Sequence, residues 1–284
     1  MIHLGTVQTC TVRDEKQQAY TLEKGKKQLE LPVRYVTRSL SAGEEVRVFV
    51  YKNKKGSMVA TMTLPDITVD SFGWATVADV VPRLGVFLHI GIEKDMLLSK
   101  DDLPLFQEVW PKRGDKLYAT LVVDKKNMLF AKLATEEDIM KHTERAPASL
   151  QNEKVTGLVY RTGKVGSFIW TTDRYRGFLH ASERDDEPRL GQHVQARVTG
   201  VKEDGTVNLS CKPLKEERIG QDAEKILLSL SRNQGEISYS DKSDPRDIQR
   251  EFQLSKAAFK RAVGRLLKQG LIEQTGHQTI RFKQ

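Results

Sequence analysis

Apolar and polar residues alternate with a period of two from the start of the chain to about residue 213, and the alternation is cut at short intervals by Gly, Pro, Asn and Asp. That period places every second side chain on one face of a strand, so the pattern demands many short half-buried strands and excludes long amphipathic helices over this stretch. LGTVQTCTV, AYTLE, QLELPVRYV, EEVRVFVYK and MVATMTL read as five strands, ending near Leu64. FGWATVADVV, LGVFLHIG, DMLLS, KLYATLVVD and MLFAKLA read as a second set. TGLVYRTG, VGSFIWTT, GFLHAS, QHVQARVTGV and TVNLSCK form a third. A unit of five strands recurring three times is an internal repeat. So few residues per unit close most simply into a small OB-type barrel.

The period changes after Pro213. Ile219, Ala223, Ile226, Leu227 and Leu230 recur at helical spacing, and so do Ala258, Phe259, Ala262, Val263, Leu266 and Leu267. Ser243 or Asp244 can cap a middle helix that has Pro245 at its first position, Ser255 can cap the last, and Gly270 can end it. LIEQTGHQTIRF then reads as a hairpin turned at Thr275-Gly276. Three helices and a hairpin make a winged helix-turn-helix, with a plain three-helix bundle as the alternative. The expected class is mainly β with a C-terminal α+β domain. The expected domains are 1–64, 65–148, 149–213 and 214–284.

Hydrophobic residues make up 38% of the 284 and charged residues 30%, which suits several small cores better than one large layered enzyme. The net charge of +8 favours an anionic partner, nucleic acid first. Cys10 and Cys211 have no CxxC or Cys/His spacing, so neither a disulfide framework nor a zinc knuckle is expected. No leader pattern or long apolar run is evident, and a cytoplasmic protein with no membrane partner is expected.

The third unit carries the most specific pattern: Gly157-x-Val159, Gly166-x-Phe168-Ile169, then Gly177-Phe178-Leu179-His180-Ala181-Ser182-Glu183, Gly191-Gln192-x-Val194 and Leu209-Ser210-x-Lys212. Phe168 and Trp170 alternate on one strand, and Phe178 and His180 on the next. Flanked by Arg161, Lys164, Arg174, Arg176 and Lys212, these four rings can form a stacking platform beside a basic groove, as single-stranded RNA needs. Either Phe could instead be barrel core. A metal at His180 would need a second His or Cys nearby, and a Ser182-His180 nucleophile would need an orienting acid; neither is found. Asp185, Asp186 and Glu187 read as a solvated loop. No catalytic residue, metal or cofactor is expected.

The pattern resembles the S1-type RNA-binding domain, and the resemblance places Phe168, His180 and Lys212 on the RNA face. Val165 departs from it, standing where many members have an aromatic. The second unit reads as a diverged copy: Gly85-Val86-Phe87-Leu88 is kept, and Met96-Leu97-Leu98-Ser99 has leucine in place of the histidine. The first keeps Gly5-x-Val7 and Gly43-Glu44-x-Val46, with Tyr20 and Tyr35 as its possible stacking residues. Three such barrels before a winged helix, together with LGVFL, EVWPKRGDKL, VVDKK and DDEPRLGQ, resemble the family of conserved virulence factor B. That resemblance implies an RNA-binding regulator of gene expression. The last helix offers Lys256, Lys260, Arg261, Arg265 and Lys268 for phosphate contacts, but no outward Asn or Gln before Gln269 to read adenine. The alternative is a DNA-binding transcriptional regulator acting through the winged helix, which could also dock duplex nucleic acid or protein. ATEEDIMKHTERAPASLQNEK reads as a short amphipathic helix ending near Arg145-Ala146-Pro147 or, by preference, as a plain spacer. Phe106 and Trp110 are expected to pack in the core or between domains.

Overall fold

VQTCTVRDE shows how the alternation becomes structure: over β1 (Val7–Glu15), Gln8, Cys10 and Val12 are buried while Thr9, Arg13 and Asp14 are exposed. β1 opens a closed barrel with β2 (Ala19–Lys24), β3 (Lys27–Pro32), β4 (Glu45–Lys52) and β5 (Met58–Thr61). A second barrel follows, of β6 (Gly73–Val81), β7 (Gly85–His89), β8 (Met96–Ser99), β9 (Lys116–Val123) and β10 (Leu129–Leu133). A short helix, α1 (Glu136–Met140), leads to the third, of β11 (Lys154–Arg161), β12 (Gly166–Thr171), β13 (Arg176–His180), β14 (His193–Val201) and β15 (Val207–Ser210).

The chain is seen here as a computed structural model that describes residues 1–213, 215–275 and 279–283. It divides into two units, Met1–Cys211 and Lys212–Gln284. Within the first, each barrel repeats one topology. Its first three strands form an antiparallel meander, the third pairs in parallel with the fifth, and the fourth closes onto the first. Each first strand also carries an irregularity at the same place, at Val12/Asp14, Val77/Asp79 and Val159/Arg161. Such a bulge sharpens the bend that a five-stranded barrel needs. The register is therefore common to all three, and their residues can be equated position by position.

The third core holds Val159, Ile169, Leu179, Val198 and Leu209. Val77, Val86, Leu88, Leu98 and Leu121 belong to the second. Trp110 joins the second core, its indole N–H donating to the Pro104 carbonyl at 2.7 Å. Phe106 does not follow the expectation of packing. It precedes the 3-10 turn Gln107–Val109, which turns Trp110 inward, and it stays 68% exposed.

The second unit has α2 (Lys215–Arg232), β16 (Glu236–Ile237), α3 (Pro245–Phe252), α4 (Lys256–Lys268), β17 (Ile272–Thr275) and β18 (Thr279–Phe282). Asp244, not Ser243, caps α3 by accepting from the Arg246 N–H at 2.7 Å, and Ser255 caps α4. Ala258, Phe259, Ala262, Val263 and Leu266 are buried. Leu267 falls off that stripe and is exposed. The sheet order β16-β18-β17 makes this a winged helix rather than a plain bundle. β16 escapes sequence reading because two residues carry no alternation. The expected turn falls partly on Gly276, outside the described residues. Among the described residues no helix is long and apolar enough to cross a membrane.

Gly85 tests the shared register. At φ +137°, a Cβ there would lie 2.1 Å from the Leu98 carbonyl oxygen and 2.7 Å from the Lys100 nitrogen. Gly85→Ala should destabilise the second barrel by about 2 kcal/mol or more, read as a lowered urea midpoint. An unchanged midpoint would contradict this close approach.

Candidate nucleic-acid interface

The β12–β13 hairpin sets the site. Gly166 pairs with His180, Phe168 with Phe178 and Trp170 with Arg176. Ile169 and Leu179, of the opposite parity, fill the barrel core. Phe168 and Phe178 thus point outward, which settles the alternative in which either is core. Their ring centroids lie 5.0 Å apart, and those of Phe178 and His180 6.2 Å apart. Tyr160 of β11, which sequence reading did not single out, extends the row with its ring 6.1 Å from Phe168. Its signal was the outward parity of Leu158 and Tyr160 on GLVYR. Gly166 makes room: a Cβ there would meet the Phe178 ring at 2.7 Å.

His180 is exposed and doubles as a cap. Its Nδ1 accepts from the Ser182 N–H at 3.1 Å and lies 2.8 Å from the Ser182 hydroxyl. The serine of HASE therefore orients the imidazole.

At the other end of the row, one carboxylate gathers the cations. Glu136, at the start of α1, accepts from Arg176 Nε at 2.6 Å and from the Tyr160 hydroxyl at 3.0 Å, with Arg161 at 3.7 Å. α1 is held by a capping box between Thr135 and Asp138. The stretch is thus docked on the third barrel, a correction to its reading as a plain spacer. Arg176 and Arg161 also lie over the Phe168 ring, 4.6 and 5.5 Å from its centroid. Burial first, then the Glu136 charge, pushes the Tyr160 hydroxyl well above the usual tyrosine range.

Two expected members lie elsewhere. Trp170 is on the same outward face of β12, but it is only 6% exposed. It packs against Trp74 and Tyr118 of the second barrel, at 5.7 and 4.9 Å. Neighbouring-barrel contact, invisible to periodicity, removes it from the platform. Arg174 sits in the β12–β13 turn at φ +63° and pairs with Glu144 at 2.8 Å. Lys164 is exposed in the β11–β12 loop, two residues before Gly166. Lys212 opens the second unit, two residues beyond β15.

The shared register shows what the other barrels place at these positions. Where the third has Phe168 opposite Phe178, the second has Phe87 opposite Leu97 and the first Thr21 opposite Glu30. Where Arg161 follows the bulge, Asp79 and Asp14 stand. At the place of Arg176 the second barrel has Asp95, bonded to His89 at 3.1 Å, and the first has Gln28. The His180 position is Ser99 in the second barrel, pairing with Gly85 and capping its own 3-10 turn. Serine, not leucine, is therefore the counterpart of the histidine. Tyr20 is buried in the first core, and Tyr35 is half-buried against it with Arg34 over its ring at 4.7 Å.

On α4, Lys260, Arg261 and Lys268 are exposed, and Lys260 lies 4.0 Å from Asp241. Lys256 is half-buried. Arg265 turns back toward α2, where a Cβ on Gly220 would meet its guanidinium at 3.6 Å, so it does not stand on the open face. Among the described residues no group of three or more His, Cys, Asp or Glu could hold a metal.

Family models match four stretches of this chain: the S1 domain at residues 4–63, the CvfB first S1-like domain at 72–132, the second domain of virulence regulatory factor CvfB at 139–213, and the CvfB-like winged helix domain at 224–280. An uncharacterized Bacillus subtilis protein, YitL, is 42% identical over 97% of this chain and 92% of its own length. Conserved virulence factor B of Staphylococcus epidermidis is 40% identical over 85% of this chain and 81% of its own length. A crystal structure of a multidomain protein with nucleic acid binding domains from Streptococcus pneumoniae superimposes with a TM-score of 0.68 at 37% identity, covering 98% of both chains.

The Tyr160–Glu136 contact predicts an alkaline transition. A folded pKa raised above the unfolded value of about 10 contributes stability that is present below that pH and lost as the pH climbs toward the folded value. Thermal stability should therefore fall above about pH 10, and Tyr160→Phe should flatten that fall. Glu136→Gln should lower the Tyr160 pKa in an ultraviolet titration, with Tyr160→Phe identifying the signal. An unmoved titration would mean that the carboxylate is not where it is described.

Proposed function

Because the chain belongs to the conserved virulence factor B family, we propose that it is a nucleic-acid-binding regulator whose third barrel grips single-stranded RNA without catalysing any reaction on it. The observation that carries this reading is the outward row of Phe168, Phe178 and His180 with cations at its edge. Base faces stack on aromatic rings whatever their identity, and they are available in single strands but hidden in a duplex. The equivalent faces of the other barrels argue by contrast. With Asp14, Glu30, Asp79 and Asp95 at positions that hold a ring or an arginine in the third barrel, they lack its combination of stacked rings and cations. The net charge of +8 supplies general attraction. The pneumococcal relative is described as having nucleic acid binding domains, and the matched second-domain model as a virulence regulatory factor. Both descriptions fit control of gene expression through nucleic-acid binding.

In this reading Phe178 and His180 offer the open stacking surface. Phe168 supports them, sandwiched on one side by arginine. Phosphates reaching Arg161 or Arg176 share them with Glu136. Lys164 and Lys212 contribute charge from the flanking loop and from beyond the closing strand. The exposed lysines and arginine of α4 give the winged helix a basic face for duplex nucleic acid or for an acidic protein.

Phe168→Ala should weaken binding of single-stranded RNA by about 1–3 kcal/mol, similarly across base sequences and with the salt dependence unchanged. His180→Ala should act in the same way and be smaller. Lys212→Ala should lose modest affinity and lower the slope of log affinity against log salt by about one. Filter binding at two salt concentrations reads all three, with circular dichroism confirming the fold. A His180→Ala protein that keeps full RNA affinity but loses an RNA-cleaving activity of the wild type would overturn the reading. Duplex DNA bound more tightly than single-stranded RNA would favour the winged helix as the main site.

A further inference from the structure

Trp170, withdrawn from the platform, lines a different feature. A cleft of about 290 Å³ opens where the second and third barrels meet. Trp74, Trp170 and Leu158 contribute its apolar wall, and Lys116, Arg174 and His193 stand around it. All three of those are exposed. Arg174 keeps its backbone in the left-handed region and its guanidinium against Glu144. The Trp170 ring is only 6% exposed, yet its indole N–H is buried with no hydrogen-bond partner. Leaving a buried donor unpaired is unfavourable, and Trp170 lines the cleft, so a small turn of its ring that brings Nε1 to an acceptor held there would relieve it.

We propose that this cleft is a second, separate nucleobase slot, which takes one unstacked base of a single-stranded RNA against Trp74 and Trp170. An acceptor on the edge of the base, a carbonyl oxygen or a ring nitrogen, pairs with the Trp170 Nε1–H. The flanking phosphates lie against Lys116, Arg174 and His193. A flat apolar wall suits a base, a single directional donor orients it, and cations at the mouth suit the charged backbone. Trp170 lies two residues from Phe168 on the same outward face of β12, about 7 Å along the strand. One strand of RNA can therefore run from the His180 end of the platform to the cleft. This inference rests on the third barrel binding single-stranded RNA, but it assigns contacts that the platform lacks. It also makes the second barrel a contributor through Trp74 and Lys116, although aspartates stand at its two arginine positions.

The test uses the full chain and single-stranded oligouridylate and oligoadenylate of about ten nucleotides, within the span that one such barrel covers. Trp74, Trp110 and Trp170 are the three tryptophans, and Trp110 is locked in the second core, so a change in tryptophan emission reports on the cleft. Wild type should show quenched emission on binding. Trp170→Phe keeps an aromatic ring and removes the N–H. It should lower affinity about three- to tenfold, while circular dichroism shows that the barrel stays folded at the assay temperature. A merely structural tryptophan would lose stability and not affinity. Lys116→Glu, at an exposed position, should weaken binding and reduce the quench. If RNA binds with unchanged emission and both variants bind like wild type, the slot is wrong and the platform stands. If Trp170→Phe and Lys116→Glu lose affinity while Phe168→Ala and His180→Ala do not, the slot stands and the platform falls. Wild type that binds neither RNA removes both.

Discussion

Alternation along β12 and β13 divides their residues between the core and an outward aromatic row. Ile169 and Leu179 close the core, and this obliges Phe168, Phe178 and His180 to face outward, because neighbouring residues on a strand cannot share a side. A slip of one residue would bury the aromatics and expose the aliphatics. Gly166 permits the arrangement by leaving space for the Phe178 ring where any side chain would collide. The cap that Ser182 makes with His180 then holds the last ring of the row.

Charge divides the three barrels more sharply than shape. Their strand orders and bulges coincide, so the difference lies in what stands at equivalent outward places: arginine in the third, aspartate in the second and first at the position after the bulge. Three barrels of one topology thus carry different charges at the same outward places. The second barrel also supplies packing partners for the third, as Trp74 and Tyr118 do for Trp170.

Glu136 is the counterweight. Its carboxylate holds Arg176 and Tyr160 directly and Arg161 at longer range, in the position that a phosphate group would also favour. This preorganises the arginines beside Phe168 at the cost of partly neutralising them. The Arg176–Glu136 pair is half-buried, and part of its attraction offsets the loss of hydration. Its consequence here is geometric, since α1 is fastened to the barrel it precedes.

Much was legible before any coordinates. Alternation and turn residues marked fifteen barrel strands and their threefold repeat, because period two is a local property of the chain. The Gly-x-Phe and His-x-Ser-Glu spacings located the row Phe168, Phe178 and His180, since both residues of a cross-strand pair lie in one hairpin. Local chemistry also named Asp244, Ser255 and Pro245 at the helix starts. Contacts between distant segments were not legible. Burial of Trp170 depends on Trp74 and Tyr118, the docking of α1 depends on Tyr160 and Arg176, and the exposure of Phe106 depends on how its loop turns. Parity says which side of a strand a residue occupies. Only the packed structure says whether that side meets water, another barrel or a carboxylate, because that is decided by segments whose separation in sequence carries no periodic signal.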